Sequence, residues 1–260
     1  MSGDPRFRTT QWSLVADAAA CNDHAAEPMA ELCRRYWYPL YVFLRRRGAT
    51  PEDAADDLQN FFLRCLSGDI LTAADPSRGR FRTFMLTACQ NHVRNRHRHD
   101  HAARRGGGRV VSLEPAIAFD RGDAERRYAF EPHIDDDPTR SFDRRWALEL
   151  IDRALCRLRD DMVAAGRGDR FETLRPMIAP AIDPPTTDDD CNVDHSNRDD
   201  SPASPAQVAA RLGIEPGALK VAVHRLRKKF GDCVRAEIAA TVDADQVDDE
   251  LRDLMRALSK

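Results

Sequence analysis

The sequence predicts an all-α protein with two small helical domains joined by a flexible linker. In several separate stretches, apolar residues recur at the three- to four-residue spacing of a helix, and residues typical of helix starts and ends bound these stretches. Segments rich in Gly, Pro and Asp separate the helical stretches. A chain of 260 residues is long enough for two domains, each with a core of its own.

The composition indicates a soluble protein with nearly balanced charge. The chain has 40 Lys and Arg against 43 Asp and Glu, and 42% of its residues are hydrophobic. No apolar run is long enough to span a bilayer, and the first residues lack the basic start and apolar core of a signal peptide. We therefore expect a cytoplasmic protein without membrane insertion. Seven scattered cysteines, none in a C-x-x-C pair, argue against a disulfide framework or a cysteine-rich zinc site.

Three helices are predicted in the first domain, residues 26–105. The first helix, residues 28–47, carries aromatic side chains at helical spacing on its apolar face and is followed by a glycine. Thr50 is expected to cap the second helix, which has proline at its first position. The third helix is predicted over residues 79–101, where apolar residues again recur at helical spacing.

The rest of the chain is divided by its composition. Residues 106–141 have no sustained period and are predicted to be a linker. Residues 142–240 are predicted to form the second domain, in which residues 176–204 are an acidic, disordered insertion rich in Pro and Asp. Residues 241–260 are expected to form a tail helix. Its apolar residues are expected to share one face: Val247, Leu251, Leu254, Met255 and Leu258.

The helix pair near the end of the second domain has the features of a helix-turn-helix. Ser204 is expected to cap its first helix, with Gln207 completing a capping box, and Gly213 can take the positive φ of a tight turn. The second helix has an inner apolar stripe of Leu219, Val223, Leu226 and Phe230. Its opposite face is basic, as insertion into a DNA major groove requires.

We therefore predict that the outer face of this second helix contacts duplex DNA, and that Lys229 contributes less than Arg225. The predicted DNA-contacting residues are Lys220, Val221, His224, Arg225, Arg227 and Lys228. The alternative for this face is an ordinary solvated helix surface.

A second concentration of positive charge lies between residues 78 and 109, which contain nine Arg and a single acid. Most apolar residues of this stretch are expected to face the core. The arginines suit phosphate neutralisation, and the interleaved Phe81, Asn91, His92 and Asn95 can stack on or hydrogen-bond unpaired bases. The residues predicted to bind a DNA single strand are Arg80, Phe81, Arg82, Asn91, Arg94, Asn95 and Arg98.

In combination, these motifs resemble bacterial sigma factors of the compact extracytoplasmic-function kind, which keep only the second and fourth conserved regions. The stretch RRYWYPLYVFLRRRG resembles the first helix of region two, and EDAADDLQNFF is similar to its polymerase-binding helix, with the leucine one position late. FRTFMLTACQNHVRNRHR resembles the melting and minus-ten segment. GALKVAVHRLRKK resembles the helix that recognises the minus-thirty-five element. The acidic insertion departs from the short connection of the family.

The resemblance implies a protein that binds core RNA polymerase and directs promoter recognition, DNA melting and transcription initiation. It implies no cofactor, and no motif in the sequence indicates an enzymatic activity. The residues that the resemblance assigns to the polymerase contact are Asp53, Asp56, Gln59 and Phe62. The implied partners are core RNA polymerase, promoter DNA and an anti-sigma factor.

Two other hypotheses remain open. A helix-turn-helix regulator that binds duplex DNA without polymerase explains residues 204–230 but not the basic stretch at residues 78–109. A metalloenzyme built on Cys89, His92, His97, His99 and His101 is disfavoured, because alternate residues on one helix point in different directions and cannot close one metal site.

Overall fold

The described part of the chain is entirely helical, which confirms the all-α prediction. The computed structural model describes residues 26–75, 79–103, 121–131, 137–178, 204–240, 242 and 244–259. Within these ranges it contains no strand. Most of the predicted acidic insertion, residues 179–203, and parts of the predicted linker, residues 106–120 and 132–136, lie outside the described residues, as do residues 104 and 105 at the end of the predicted first domain.

The described residues form nine α-helices and two short 3-10 helices. In chain order the α-helices are α1 (Ala26–Arg46), α2 (Pro51–Leu66), α3 (Phe81–Ala103), α4 (Arg121–Ala129), α5 (Pro138–Ala164), α6 (Gly168–Ile178), α7 (Pro205–Arg211), α8 (Pro216–Ala239) and α9 (Val247–Leu258). The 3-10 helices are Leu71–Ala73 and Ala244–Gln246.

The chain divides into two compact units whose limits differ from the predicted domains. The first unit combines the residues up to Ala147 with those from Ile238 onward, and the second is Leu148–Glu237. The boundary lies inside α5, which continues for 27 residues without interruption. The second domain was predicted to begin at residue 142, but the helix is continuous there, and Phe142 and Trp146 are buried. The predicted tail helix belongs to the first unit.

Aromatic side chains dominate the core of the first unit. The aromatic stripe predicted on the first helix is confirmed, since Tyr36 and Phe43 of α1 are at most 1% exposed. The other fully buried aromatic side chains of this core are Tyr41, Phe61, Phe62, Phe81, Phe142 and Trp146. Burial of each such side chain contributes roughly 1.5–3 kcal/mol relative to its exposure.

Local sequence signals set the start of α2 as predicted. The Thr50 side chain accepts a hydrogen bond from the Asp53 backbone N–H at 3.1 Å. Pro51 is the first helical residue, where its missing N–H leaves no intrahelical hydrogen bond unmade.

The prediction of a linker over residues 106–141 was wrong for α4. This helix packs on α1, where Glu125 forms an ion pair with Arg45 at 2.8 Å and accepts a hydrogen bond from the Tyr41 hydroxyl at 2.6 Å. The Arg45 guanidinium also lies 4.8 Å from the centroid of the Tyr128 ring. These contacts join residues about eighty positions apart in the sequence, so no local periodicity predicts the helix.

The second unit contains a helix that the sequence did not predict. Phe171, Leu174 and Ile178 of α6 are buried, although the helix begins at a glycine and contains Pro176. The predicted insertion at residues 176–204 therefore overlaps the last turn of a packed helix. Within the same unit, Arg153 of α5 pairs with Glu237 of α8 at 3.4 Å.

The tail helix forms as predicted, but its proposed apolar face was partly wrong. Leu254 is 3% exposed, whereas Met255 is 63% exposed and points away from the packed side. An acidic residue, Glu250, takes a place on the buried side and is only 1% exposed.

Phe81 and Phe84 allow a test of how α3 is packed. Phe81 lies edge-on to Tyr36 at 5.6 Å between ring centroids and is 1% exposed, while Phe84 is only half-buried. Phe81→Ala should lower the free energy of unfolding by about 3–5 kcal/mol, and Phe84→Ala by less, because Phe84 leaves a smaller cavity. Urea denaturation of both variants checks this, and equal losses would contradict the packing.

Candidate nucleic-acid interface

The two helices predicted near the end of the second domain are present as α7 and α8 and are joined by a short turn. The Ser204 side chain accepts a hydrogen bond from the Gln207 N–H at 3.3 Å, and the Gln207 side chain accepts one from the Ser204 N–H at 2.8 Å. This reciprocal pair confirms the capping box at the start of α7. Gly213 has a φ of 61°, so the turn to α8 uses the left-handed conformation that favours glycine.

The two faces of α8 are divided as the sequence predicted. Leu219, Val223 and Leu226 are at most 7% exposed, while Phe230 is only half-buried. All six residues predicted to contact duplex DNA are exposed: Lys220, Val221, His224, Arg225, Arg227 and Lys228. The helix therefore presents a continuous basic face, although the contact with DNA itself stays a prediction.

One of these six residues, Arg227, is engaged inside the unit. The Arg227 guanidinium donates a hydrogen bond to the Met177 carbonyl at 2.8 Å, close to the end of α6. A cation at this position is favourable, because the last carbonyls of a helix carry partial negative charge. Arg227 thus contributes to packing as well as to the charge of the exposed face.

The basic face extends to residues that the sequence analysis missed. An open cavity of about 410 Å³ lies beside α8 and is lined by four cations and no acid. Its lining consists of Met162, Arg167, Arg170, Leu174, Ala218, Val221, Ala222, Arg225, Leu226 and Lys229. Arg167 and Arg170 were missed because α6 was not predicted. Lys229 shares the cavity with Arg225, so the expectation that the two side chains differ in facing is not supported.

In the first unit, α3 presents four of its seven predicted strand-binding residues on an exposed face. They are Asn91, Arg94, Asn95 and Arg98, and their spacing of three and four residues puts them on one side of the helix. Arg94 donates a hydrogen bond to the Asn91 side chain at 3.3 Å. Two amides and two guanidinium groups therefore lie together at the surface.

The other three predicted strand-binding residues lie at the start of α3 and are already engaged. Arg80 pairs with Glu250 at 2.8 Å and with Asp253, both on α9. Arg82 pairs with Glu250 at 2.9 Å and is 8% exposed. Phe81 is 1% exposed. The prediction that the Phe81 ring stacks on a base is therefore corrected, because the ring is part of the core.

His92 was also expected to meet unpaired bases, and its position rules this out. The residue is 8% exposed, and its ring lies edge-on to Phe61 at 5.9 Å between centroids. Neither ring nitrogen has a hydrogen-bond partner among the described residues. Burial, together with the nearby positive charges of Arg64 and Arg96, lowers the pKa of His92 from 6.5 to about 4.

The metal hypothesis gains no support from this part of α3. Among the described residues, no group of three or more His, Cys, Asp or Glu side chains is arranged to hold a metal ion. The side chains of His97, His99 and His101 lie outside the described residues.

The predicted polymerase contact is only partly available on the surface of α2. Asp53 and Asp56 are exposed, and Gln59 is half-buried. Phe62 is 1% exposed and lies edge-on to Phe61 at 5.3 Å between ring centroids, so its assignment to a polymerase contact is corrected to a core position. Asp57 of the same helix is a buried acid whose role was not predicted from the sequence.

Asp57 links α2 to α3. Its carboxylate is 2% exposed and lies 2.9 Å from the Arg96 guanidinium. Pairing with a guanidinium compensates the cost of burying this charge. Arg96 therefore supports the position of α3, in contrast to the exposed Arg94 and Arg98.

The buried His92 predicts a loss of stability in mild acid. The pKa of His92 is lower in the folded chain than in the unfolded chain. Below about pH 6.5 the imidazole therefore binds a proton in the unfolded chain but stays neutral in the folded chain, which favours unfolding. Stability should fall by about 2 kcal/mol between about pH 7 and about pH 5 through this residue alone. Urea denaturation at both pH values, compared with His92→Leu, measures the effect. An unchanged pH dependence in the variant would contradict it.

None of the described helices combines the length and the apolar character needed to cross a membrane. Comparisons with protein-family models, with curated proteins and with solved structures found no match to this chain.

Proposed function

We propose that this chain is a sigma factor of the extracytoplasmic-function kind, which binds core RNA polymerase, recognises promoter DNA and opens it for transcription initiation. In this proposal the first unit binds polymerase and the opened minus-ten strand. The second unit binds the upstream duplex element. The protein acts in the cytoplasm without a cofactor or an enzymatic activity of its own, and an anti-sigma factor is a further partner.

The observation that carries the proposal is the presence of two exposed basic helix faces with different chemistry. On α8, lysine and arginine side chains stand on the second helix of a helix-turn-helix, which is the arrangement that suits a major groove. On α3, Asn91 and Asn95 accompany Arg94 and Arg98. Amides hydrogen-bond the edges of unpaired bases, while guanidinium groups neutralise phosphates.

The polymerase contact is proposed for the exposed side of α2. Asp53 and Asp56 give this side a negative charge, and Gln59 lies beside them. The assignment comes from the resemblance of EDAADDLQNFF to the polymerase-binding helix of the family.

A duplex-binding regulator without polymerase is the second candidate, and one observation favours it. Arg80 and Arg82 are paired with acids, and Phe81 is buried. The surface for a single strand is therefore smaller than the sequence suggested, whereas the duplex-binding face of α8 is fully exposed.

The two candidates are separated by transcription from a promoter library. Core RNA polymerase with the chain should initiate at templates that share a two-element motif, and core polymerase alone should not. The same reaction with Asp56→Arg should lose initiation without loss of duplex binding, because the substitution reverses a charge at the proposed polymerase contact. Duplex binding without polymerase-dependent initiation would overturn the proposal and support the regulator.

Arg225 tests the duplex-binding face. Arg225→Ala should weaken binding to the upstream element by about 1–3 kcal/mol if the side chain makes a bidentate base contact. Arg126→Ala is the control, because Arg126 is 72% exposed on α4 and its loss changes the net charge equally. Fluorescence anisotropy with a duplex selected from the library measures both. Equal losses of duplex affinity in the two variants would mean that Arg225 acts only through its net charge, which would contradict a specific contact.

A further inference from the structure

Two acids of the tail helix α9 cover two arginines at the start of α3. Glu250 forms ion pairs with Arg80 at 2.8 Å and with Arg82 at 2.9 Å, so one carboxylate bridges both guanidinium groups. Asp253 also pairs with Arg80 and lies 3.7 Å from Arg82. Carboxylates in this arrangement stand beside the guanidinium groups, where a phosphate group would also be attracted.

The charges in this cluster nearly cancel. Arg82 has a further partner in Asp143 of α5, at 2.8 Å, and its guanidinium lies 4.8 Å from the centroid of the Trp146 ring. Glu250 is 1% exposed and Arg82 is 8% exposed, so water and salt reach these pairs poorly. While α9 is docked, Arg80 and Arg82 add little to the positive field of α3.

The apolar part of the α9 contact is small. Leu254 is buried at 3% exposure, Val247, Leu251 and Leu258 are half-buried, and Met255 is 63% exposed. One fully buried leucine cannot hold a twelve-residue helix against its conformational entropy, so the ion pairs with α3 are a large part of the attachment. A polyanion whose phosphate groups bind Arg80 and Arg82 therefore competes directly with α9.

We propose that α9 is an intramolecular competitor of the DNA strand, which masks Arg80 and Arg82 until nucleic acid displaces it. The inference rests on the proposed function to the extent that a single strand is the competing polyanion. In the displaced state Trp146 and Asp143 still position the Arg82 guanidinium, while Glu250 and Asp253 leave with the tail. The strand then gains two phosphate-binding cations at the start of α3, about three helical turns before Arg94.

The test uses full-length variants that loosen α9 in two independent ways. Glu250→Gln with Asp253→Asn removes the two negative charges at constant side-chain size, and Leu254→Ala weakens the apolar contact without changing charge. The control is Asp160→Asn with Asp161→Asn, which removes two exposed acids of the second unit. Hydrogen exchange of the α9 amides reports its release, and circular dichroism reports whether the fold is retained.

Binding of a fluorescent twenty-nucleotide oligo(dT) is measured over a range of salt concentrations. Both loosened variants should bind about tenfold more tightly than the unaltered chain, and the salt slope should steepen by about 1.4, since each added phosphate contact contributes about 0.7. The control variant should leave the salt slope of oligonucleotide binding unchanged. Adding Arg80→Gln to either loosened variant should remove about half of the steepening.

Two results overturn the inference. In the first, α9 is released but oligonucleotide affinity and salt slope stay at the unaltered values. In the second, α9 cannot be released without unfolding the first unit, which makes the tail a permanent part of its core. The oligonucleotide assay contains no polymerase, so its outcome is separate from the transcription test. Tighter strand binding without polymerase-dependent initiation would keep the inference and reject the proposed function.

Discussion

The helical periodicity of α3 is the constraint on which the first unit depends. Phe81, Met85, Cys89 and His92 recur at core spacing and are all buried, so the opposite side of the same helix is the side that is exposed. Asn91, Arg94, Asn95 and Arg98 lie there. One helix therefore supplies both the core and the proposed strand-binding face, and the period alone decides which residues can serve each role.

A count of arginines overstates the positive field of this helix. Three of the arginines between residues 78 and 109 pair with acids from other helices: Arg80, Arg82 and Arg96. Glu250 and Asp57 are buried partners of these arginines, so removing either acid should cost far more than the loss of an exposed pair. These acids stabilise the positions of α9 and α2, and the exposed Arg94 and Arg98 keep the charge that nucleic acid can meet.

Predictability from the sequence followed the range of the interactions involved. The Thr50 cap, the Ser204 capping box and the Gly213 turn were predicted correctly, because each involves residues within a few positions of one another. Helix α4 was missed because it depends on Arg45, far away in sequence. Asp253 pairs with Arg80, which lies 173 positions away in the sequence. An acid on a tail helix is expected to be solvated, so no sequence pattern predicted this pair. For the same reason the sequence did not predict that the pair makes Arg80 less available.

The two proposed DNA-binding faces differ in what must happen before they act. The predicted contact residues of α8 are all exposed, so this helix can meet a duplex without being uncovered by another described helix. The strand-binding face of α3 is only partly available while Glu250 and Asp253 hold Arg80 and Arg82. Under the two proposals, duplex binding therefore precedes full strand capture. A single strand must supply more binding free energy than α9 loses on release, and this requirement favours capture of DNA that the polymerase already holds open.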